Sequence, residues 1–446
     1  MLFATLKTYC VSIKKKNLKN NKIFILVFGA VLFSLNCTKH VLEGNREERD
    51  IRIEKLHKGT VSMSFDLINN LVVIPTQIND SGDLYFILDT GAGRTVITEL
   101  GEDQSFTINY EGDIELSGLG NGGPISALTS GNNEIYLDGI EGENHSVVLL
   151  LESVLRLSNF MGRRVNGLMG YDIFENFIVE IDYKSEKLYF HDPDYFKEKY
   201  EEKKKDKKWV YVPLEKHDYK IYMNAEITQS DSTNIDVKLL IDSGASHNIF
   251  LYPNSKEGIH IPSKTVRSYL GSGLSGEIYG DIGRARKLSV NGLELDYPII
   301  AYPDIEGIRL VANRGNRNGS IGADFFRRFS VIFNYNEPSM LLRPNNDYKD
   351  DFSYNTSGLE ITTPFLRLPY YVVSKVRENS IAEKTGIQAN DVLYEINFEP
   401  VAKYSLNELL ELFHSTRSFS ISVIRDDDIK FFHLRLKDET KLKGQS

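Results

Sequence analysis

The chain repeats itself over a long period. Ile87-Leu88-Asp89-Thr90-Gly91-Ala92 returns as Leu240-Ile241-Asp242-Ser243-Gly244-Ala245, and each copy follows an apolar, β-like run, LYFIL at 84–88 and VKLLI at 237–241. Further on, GYDIFENFIVEIDY at 170–183 aligns without a gap on GADFFRRFSVIFNY at 322–335. Gly170 lies 81 residues after Asp89, and Gly322 lies 80 after Asp242. Between these marks Gly118 and Gly120 stand 29 and 31 residues after the first aspartate, as Gly271 and Gly273 do after the second. Three features recurring in one order at one spacing require two equivalent halves, roughly 61–190 and 210–345.

Within each half, short apolar runs are broken by Gly, Asn, Asp and Ser, which is all-β patterning. The stretches 171–177 and 323–329, each just after a buried strand, are expected to form short helices. Between the halves, residues 191–209 (HDPDYFKEKYEEKKKDKKW) are dense in charge and read as a solvated linker or short helix with no binding role.

One Asp-Thr/Ser-Gly triplet is an ordinary turn, in which Asp bonds nearby amides and Gly takes positive φ. Two copies on equivalent halves are different, because quasi-two-fold packing would bring Asp89 and Asp242 face to face. Two close carboxylates share a proton, so one acts as general base for water and the other as general acid. Gly91 and Gly244 would let backbone approach the pair. Thr90 and Ser243 would join the two loops through their hydroxyls. This chemistry calls for no metal and no cofactor.

These motifs resemble the active-site motifs of aspartic peptidases, especially the retropepsin-like ones. Gly167-Leu168-Met169-Gly170 and Gly319-Ser320-Ile321-Gly322 resemble the second signature of that family, which braces the Asp loop. The resemblance covers about 61–345. It implies two homologous β-lobes forming one cleft, catalysis by Asp89 and Asp242, active-site support from Thr90, Gly91, Ser243 and Gly244, and flaps at 115–127 and 268–280 carrying Gly118, Gly120, Gly271 and Gly273. Gly93 departs from the hydroxyl residue often found there, whereas Ser246 keeps one. Ala92 and Ala245 lack a hydroxyl that would lower the pKa of a charged Asp, so the expected activity optimum is nearer neutral than that of digestive enzymes. His247, near the second motif, reads as an exposed loop residue.

Gly271-Ser272-Gly273-Leu274-Ser275-Gly276 matches a dinucleotide-binding pattern in form only, since it lacks the strand–turn–helix setting. A net charge of -9 gives no reason to expect a nucleic-acid partner. Both cysteines, Cys10 and Cys37, fall near the N-terminus, so the body has no disulfide framework and no Cys-based metal site.

Residues 1–37 read as an export signal: lysines at 14–16, 19 and 22 precede the uncharged run 23–35. Its end, Ser34-Leu35-Asn36-Cys37, resembles a bacterial lipobox, which implies lipidation at Cys37 and membrane attachment in the cell envelope, facing the periplasm or the cell surface. Residues 38–60 read as a tether.

After a polar linker at 346–358, residues 359–437 resemble an HtrA-type PDZ domain, a small α+β unit, through the run SIAEKTGIQANDVLYEIN at 380–397; 438–446 is a tail. Such domains take C-terminal peptides by strand addition. The expected site is the loop Phe365-Leu366-Arg367-Leu368. The whole reading is a mostly β, lipid-anchored endopeptidase acting on peptide or protein substrates, with the PDZ domain recruiting or regulating. The rival is a peptide-binding envelope lipoprotein without catalysis.

Overall fold

A computed structural model describes residues 51–53 and 59–446, apart from 309–310, 312–313, 367, 443–444 and 446. The signal expected at 1–37 with Cys37, most of the expected tether, and Arg367 lie outside the described residues. Among those described, no helix is long and apolar enough to cross a membrane.

The chain is mostly β, as expected, and the described residues up to 345 build three sheets. The duplication reappears in the strand pairing. In the first half, Leu71–Ile78 pairs antiparallel with Leu84–Leu88. Gly167–Met169 lies parallel to Leu84–Leu88 and antiparallel to Thr95–Ile97, which runs parallel to Ile140–Leu150. In the second half, Lys220–Thr228 pairs antiparallel with Asn234–Ile241. Gly319–Ile321 lies parallel to Asn234–Ile241 and antiparallel to Ile249–Leu251, which runs parallel to Ile299–Pro303. These inner strands read as continuous apolar runs because both of their faces are covered; Leu84, Phe86, Leu239 and Ile241 are all fully buried.

A third, six-stranded sheet joins the halves. Ile178–Asp182 and the equivalent Phe329–Asn334 pair antiparallel at its centre, with Glu180 opposite Ile332. Those two residues are equivalent by the repeat, so the quasi-two-fold axis passes between them. Helix Pro193–Lys205 covers part of this sheet. Asp192 caps it by accepting from the Asp194 and Tyr195 amides, with Pro193 at the first helical position. Phe196 and Tyr200, one turn apart, bury one face against Ile178, Ile332 and Leu341. The charged linker is thus solvated on one side only; its aromatics form a small core.

Residues beyond 358 form a separate sheet with Leu359–Thr362 at one edge, and helix Leu406–His414 packs Leu406, Leu409 and Phe413 into its core. The polar linker before it is pinned rather than free. Phe352 and Tyr354 are buried, and the Arg328 guanidinium lies 3.7 Å from the Phe352 ring centroid. Arg284, also buried, donates to the Phe352 carbonyl and to Asp438 in the tail, 2.7 Å away.

Candidate active site

The strands ending at Leu88 and Ile241 deliver Asp89 and Asp242 to matching places. The Asp89 amide donates to the Met169 carbonyl at 2.8 Å, and the Asp242 amide to the Ile321 carbonyl at 3.0 Å. The bracing strands need their glycines. A Cβ on Gly167 would stand 1.9 Å from the Val96 oxygen, and one on Gly319 would stand 1.9 Å from the Phe250 oxygen.

Two hydroxyls lock the loops together across the two-fold axis. The Thr90 amide donates to Ser243 Oγ (3.0 Å), and Ser243 Oγ donates to the Leu88 carbonyl (2.8 Å). Reciprocally, the Ser243 amide donates to Thr90 Oγ1 (3.0 Å), and Thr90 Oγ1 donates to the Ile241 carbonyl (2.9 Å). All four bonds are buried, in the low-dielectric setting where hydrogen bonds hold geometry best.

The two carboxyl groups meet beside the Gly91 backbone. The Gly91 amide donates to Asp89 Oδ1 at 2.7 Å. A Cβ on Gly91 would lie 3.0 Å from Asp242 Oδ1 and 3.1 Å from Asp89 Oδ1, and one on Gly244 would lie 2.2 Å from Asp89 Cγ. Burial first, then the neighbouring Asp242 charge, pushes Asp89 up to about 7, against the opposing pull of the Gly91 amide and Lys220. Burial also raises Asp242, while Arg317 and Lys220 oppose that rise. Both shifts favour retention of a proton on the pair.

Both glycine-rich hairpins arch over this pair and meet at their tips. The turn at 117–124 joins Tyr110–Leu116 to Ile125–Leu137, and Leu274-Ser275 joins Val266–Gly273 to Gly276–Arg284. Gly118 N donates to Ser275 Oγ, Gly122 N to the Ser275 carbonyl, and Ser275 N to the Leu119 carbonyl. Gly120 has φ 127°, and a Cβ there would lie 2.3 Å from the Ser275 carbonyl carbon; one on Gly273 would lie 2.3 Å from the Leu119 oxygen. Gly271, with φ 130°, sits at a bulge in its strand. Beneath the tips lies a cavity of about 2220 Å³ that reaches Asp89 and Asp242.

Other expected features take different places. The space beside Gly93 is filled by Tyr219, whose ring a Cβ would meet at 2.8 Å, so no hydroxyl side chain fits there. His247 is not an exposed loop residue: it stacks on Phe250 at 3.8 Å, its Nε2 is 3.1 Å from Ser320 Oγ, and burial pushes its pKa down to about 3. Tyr269 and Tyr279 face each other on the second hairpin, with Lys375 of the C-terminal unit over both rings. Phe365 and Leu368 are exposed, on the loop that follows the edge strand Leu359–Thr362, and neither they nor Leu366 line the cavity. The C-terminal residues that do line it include Glu360, Asn407, Leu410, Glu411 and His414. Among the described residues no three His, Cys, Asp or Glu side chains gather as a metal site.

Arg317 and Lys220 escape sequence reasoning, although one signal for Arg317 exists. It stands five residues before Gly322, where the first repeat has the core residue Val165. Arg317 is itself buried, its Nε has no hydrogen-bond partner, and it lines the cavity.

Residues 372–425 match the PDZ domain family. A search of curated proteins finds no match to the chain. Among solved structures, the chain is similar to the aspartic proteinase from Irpex lacteus, with a TM-score of 0.42 and 12% identity, over 65% of this chain and 98% of that one.

Proposed function

We propose that the protein is an aspartic-type endopeptidase. The observation that carries this reading is the pair of carboxyl groups of Asp89 and Asp242, which meet beside Gly91 and are held by the reciprocal Thr90–Ser243 lock. With one proton on the pair, the ionised carboxylate takes a proton from a water lying between the two groups. The resulting hydroxyl attacks the scissile carbonyl carbon, while the protonated carboxyl gives its proton to the carbonyl oxygen. The tetrahedral product then collapses: the C–N bond breaks, the leaving nitrogen gains a proton from the pair, and the carboxylic acid product departs. Lys220 favours ionisation of both groups, whereas Arg317 favours that of Asp242, which makes Asp242 the base and Asp89 the acid. The hairpin tips exclude bulk water while the intermediate exists.

Export and lipid attachment at Cys37 belong to the same proposal, as does a peptide partner at the PDZ domain. The deciding experiment incubates the chain from residue 38 onward with a diverse peptide mixture between pH 4 and 8. Cleavage read by mass spectrometry should vanish in both Asp89→Asn and Asp242→Asn. Cleavage that survives either substitution, or none by the unsubstituted protein at any pH, refutes the peptidase and favours a peptide-binding envelope protein.

A further inference from the structure

At equivalent positions the two lobes carry different chemistry. Their hydrogen bonds fix which positions are equivalent. Asn166 Oδ1 accepts from the Tyr85 amide (2.9 Å) in the first lobe, and Asn318 Oδ1 accepts from the Lys238 amide (2.9 Å) in the second. Val165 and Arg317, one residue earlier, therefore correspond. Val73 pairs with Ile87 as Tyr222 pairs with Leu240, so Leu71 and Lys220, two residues earlier, correspond as well. In the first lobe Leu71, Val73, Ile87 and Val165 form one apolar cluster. In the second lobe cations hold two of those four places, and both Lys220 and Arg317 line the cavity with Asp89 and Asp242.

Arg317 is only 4% exposed, and its guanidinium lies 5.6 Å from the Tyr252 ring centroid. Its Nε and the Tyr252 hydroxyl are buried without a hydrogen-bond partner, and among the described residues no carboxylate forms an ion pair with it. Its field reaches Asp242 with no bond between the two. Burying an arginine without a paired anion is costly. A guanidinium held by packing at a cavity wall is preorganised for a carboxylate, which it can take through two parallel N–H bonds.

We propose that Arg317, with Lys220 adding to its field, forms a carboxylate-binding subsite in the second-lobe half of the cleft, and that the enzyme selects polypeptides carrying an Asp or Glu side chain next to the scissile bond. The residue across that bond is apolar, to match Leu71, Ile87 and Leu168 on the first-lobe wall. This rests on the peptidase reading above and names its substrate class.

The test assays the chain from residue 38 at pH 6, where a substrate Glu is ionised. The substrates are ten-residue peptides with acetyl and amide ends. Their two central residues are Leu and Glu in either order, with Gln or Lys in place of Glu in the matched peptides. A further peptide stops at the Gln of Leu-Gln as a free acid, so that a chain terminus supplies the carboxylate. In one order the Glu peptide should be cleaved between its central residues with kcat/KM at least about 10-fold above the Gln peptide, and the Lys peptide should be slowest. Arg317→Gln should bring the Glu-to-Gln ratio within about 2-fold, whereas Arg317→Lys should keep Glu preferred. Each ratio is taken within one protein, so any effect of Arg317 on the carboxyl pair cancels. A parent ratio near 1, which needs no variant to measure, overturns the subsite and leaves the peptidase standing. A ratio that survives Arg317→Gln, or faster cleavage of the free-acid peptide than of the Glu peptide, does the same. If the parent cleaves no peptide, fluorescence anisotropy with fluorescein-labelled Glu and Gln peptides separates the two readings. Binding of the Glu peptide at least about 10-fold tighter, lost in Arg317→Gln, keeps the subsite and drops the peptidase; equal binding drops both.

Discussion

Ser243→Ala strikes the lock between the two Asp loops. It removes the bond from the Thr90 amide and the bond to the Leu88 carbonyl, both buried. Each such bond contributes about 1 kcal/mol net, and the orphaned amide adds about 1–3 kcal/mol, so a loss of about 3–5 kcal/mol is expected. Thr90→Val removes the other two bonds at nearly constant volume and should cost a similar amount. Both act on one pair of loops, so the double variant should fall short of the sum by at least about 0.5 kcal/mol. Urea unfolding of the four proteins measures these losses, with Ser185→Ala on an exposed turn as a control expected within about 0.5 kcal/mol of the parent. Peptide cleavage should lose about 10- to 100-fold in kcat, since the carboxyl groups shift by fractions of an ångström. A Ser243→Ala protein that loses less than about 1 kcal/mol and keeps its kcat would refute the view that this lock positions the pair.

Other expectations follow from the same geometry. Asp89 has its folded pKa raised to about 7, so its contribution to stability is full below its unfolded pKa of about 4 and is lost as pH rises toward 7. Asp89→Asn should therefore raise the urea midpoint at pH 8 more than at pH 4. On the activity side, loss of the shared proton should make cleavage fall on the alkaline limb near pH 7, read from kcat/KM against pH. Gly319→Ala forces a Cβ to 1.9 Å from the Phe250 oxygen and should cost at least about 3 kcal/mol in unfolding measurements, with activity lost alongside. Gly120→Ala, strained at φ 127° and against Ser275, should leave global stability nearly intact while raising KM, because it parts the hairpin tips. Arg284→Met leaves Asp438 without its buried cation; limited proteolysis should then cut the 346–358 linker, which the parent protein protects.

The parts of this architecture legible in the sequence were those written locally and twice. The Asp-Thr/Ser-Gly loops, the Gly-x-x-Gly braces and the glycine-rich hairpins each depend on neighbouring residues and a backbone that only glycine tolerates. Contacts between distant residues of ordinary surface type were not legible. Nothing marks Lys375 as the partner of Glu277, or Arg284 as a buried residue that holds both linker and tail. Tyr219 fills the place beside Gly93 from the far side of the interlobe connection, and no local pattern announces it. The peptide site expected at Phe365–Leu368 illustrates the same limit. A loop can be assigned to a domain from its motif, but which side of that domain faces the cleft is set by docking contacts such as Asn407 with Leu67 and Asn69.

The pairing of Glu180 with Ile332 puts the axis of the two lobes through the middle of the joining sheet. A cleft with such an axis looks nearly the same to a polypeptide entering in either orientation. The PDZ domain occurs once, and it borders the cleft on one flank only. It therefore gives the cleft polarity: the N-terminal and C-terminal sides of a bound chain meet different walls, and a symmetric pair of carboxylates can be addressed in a single direction.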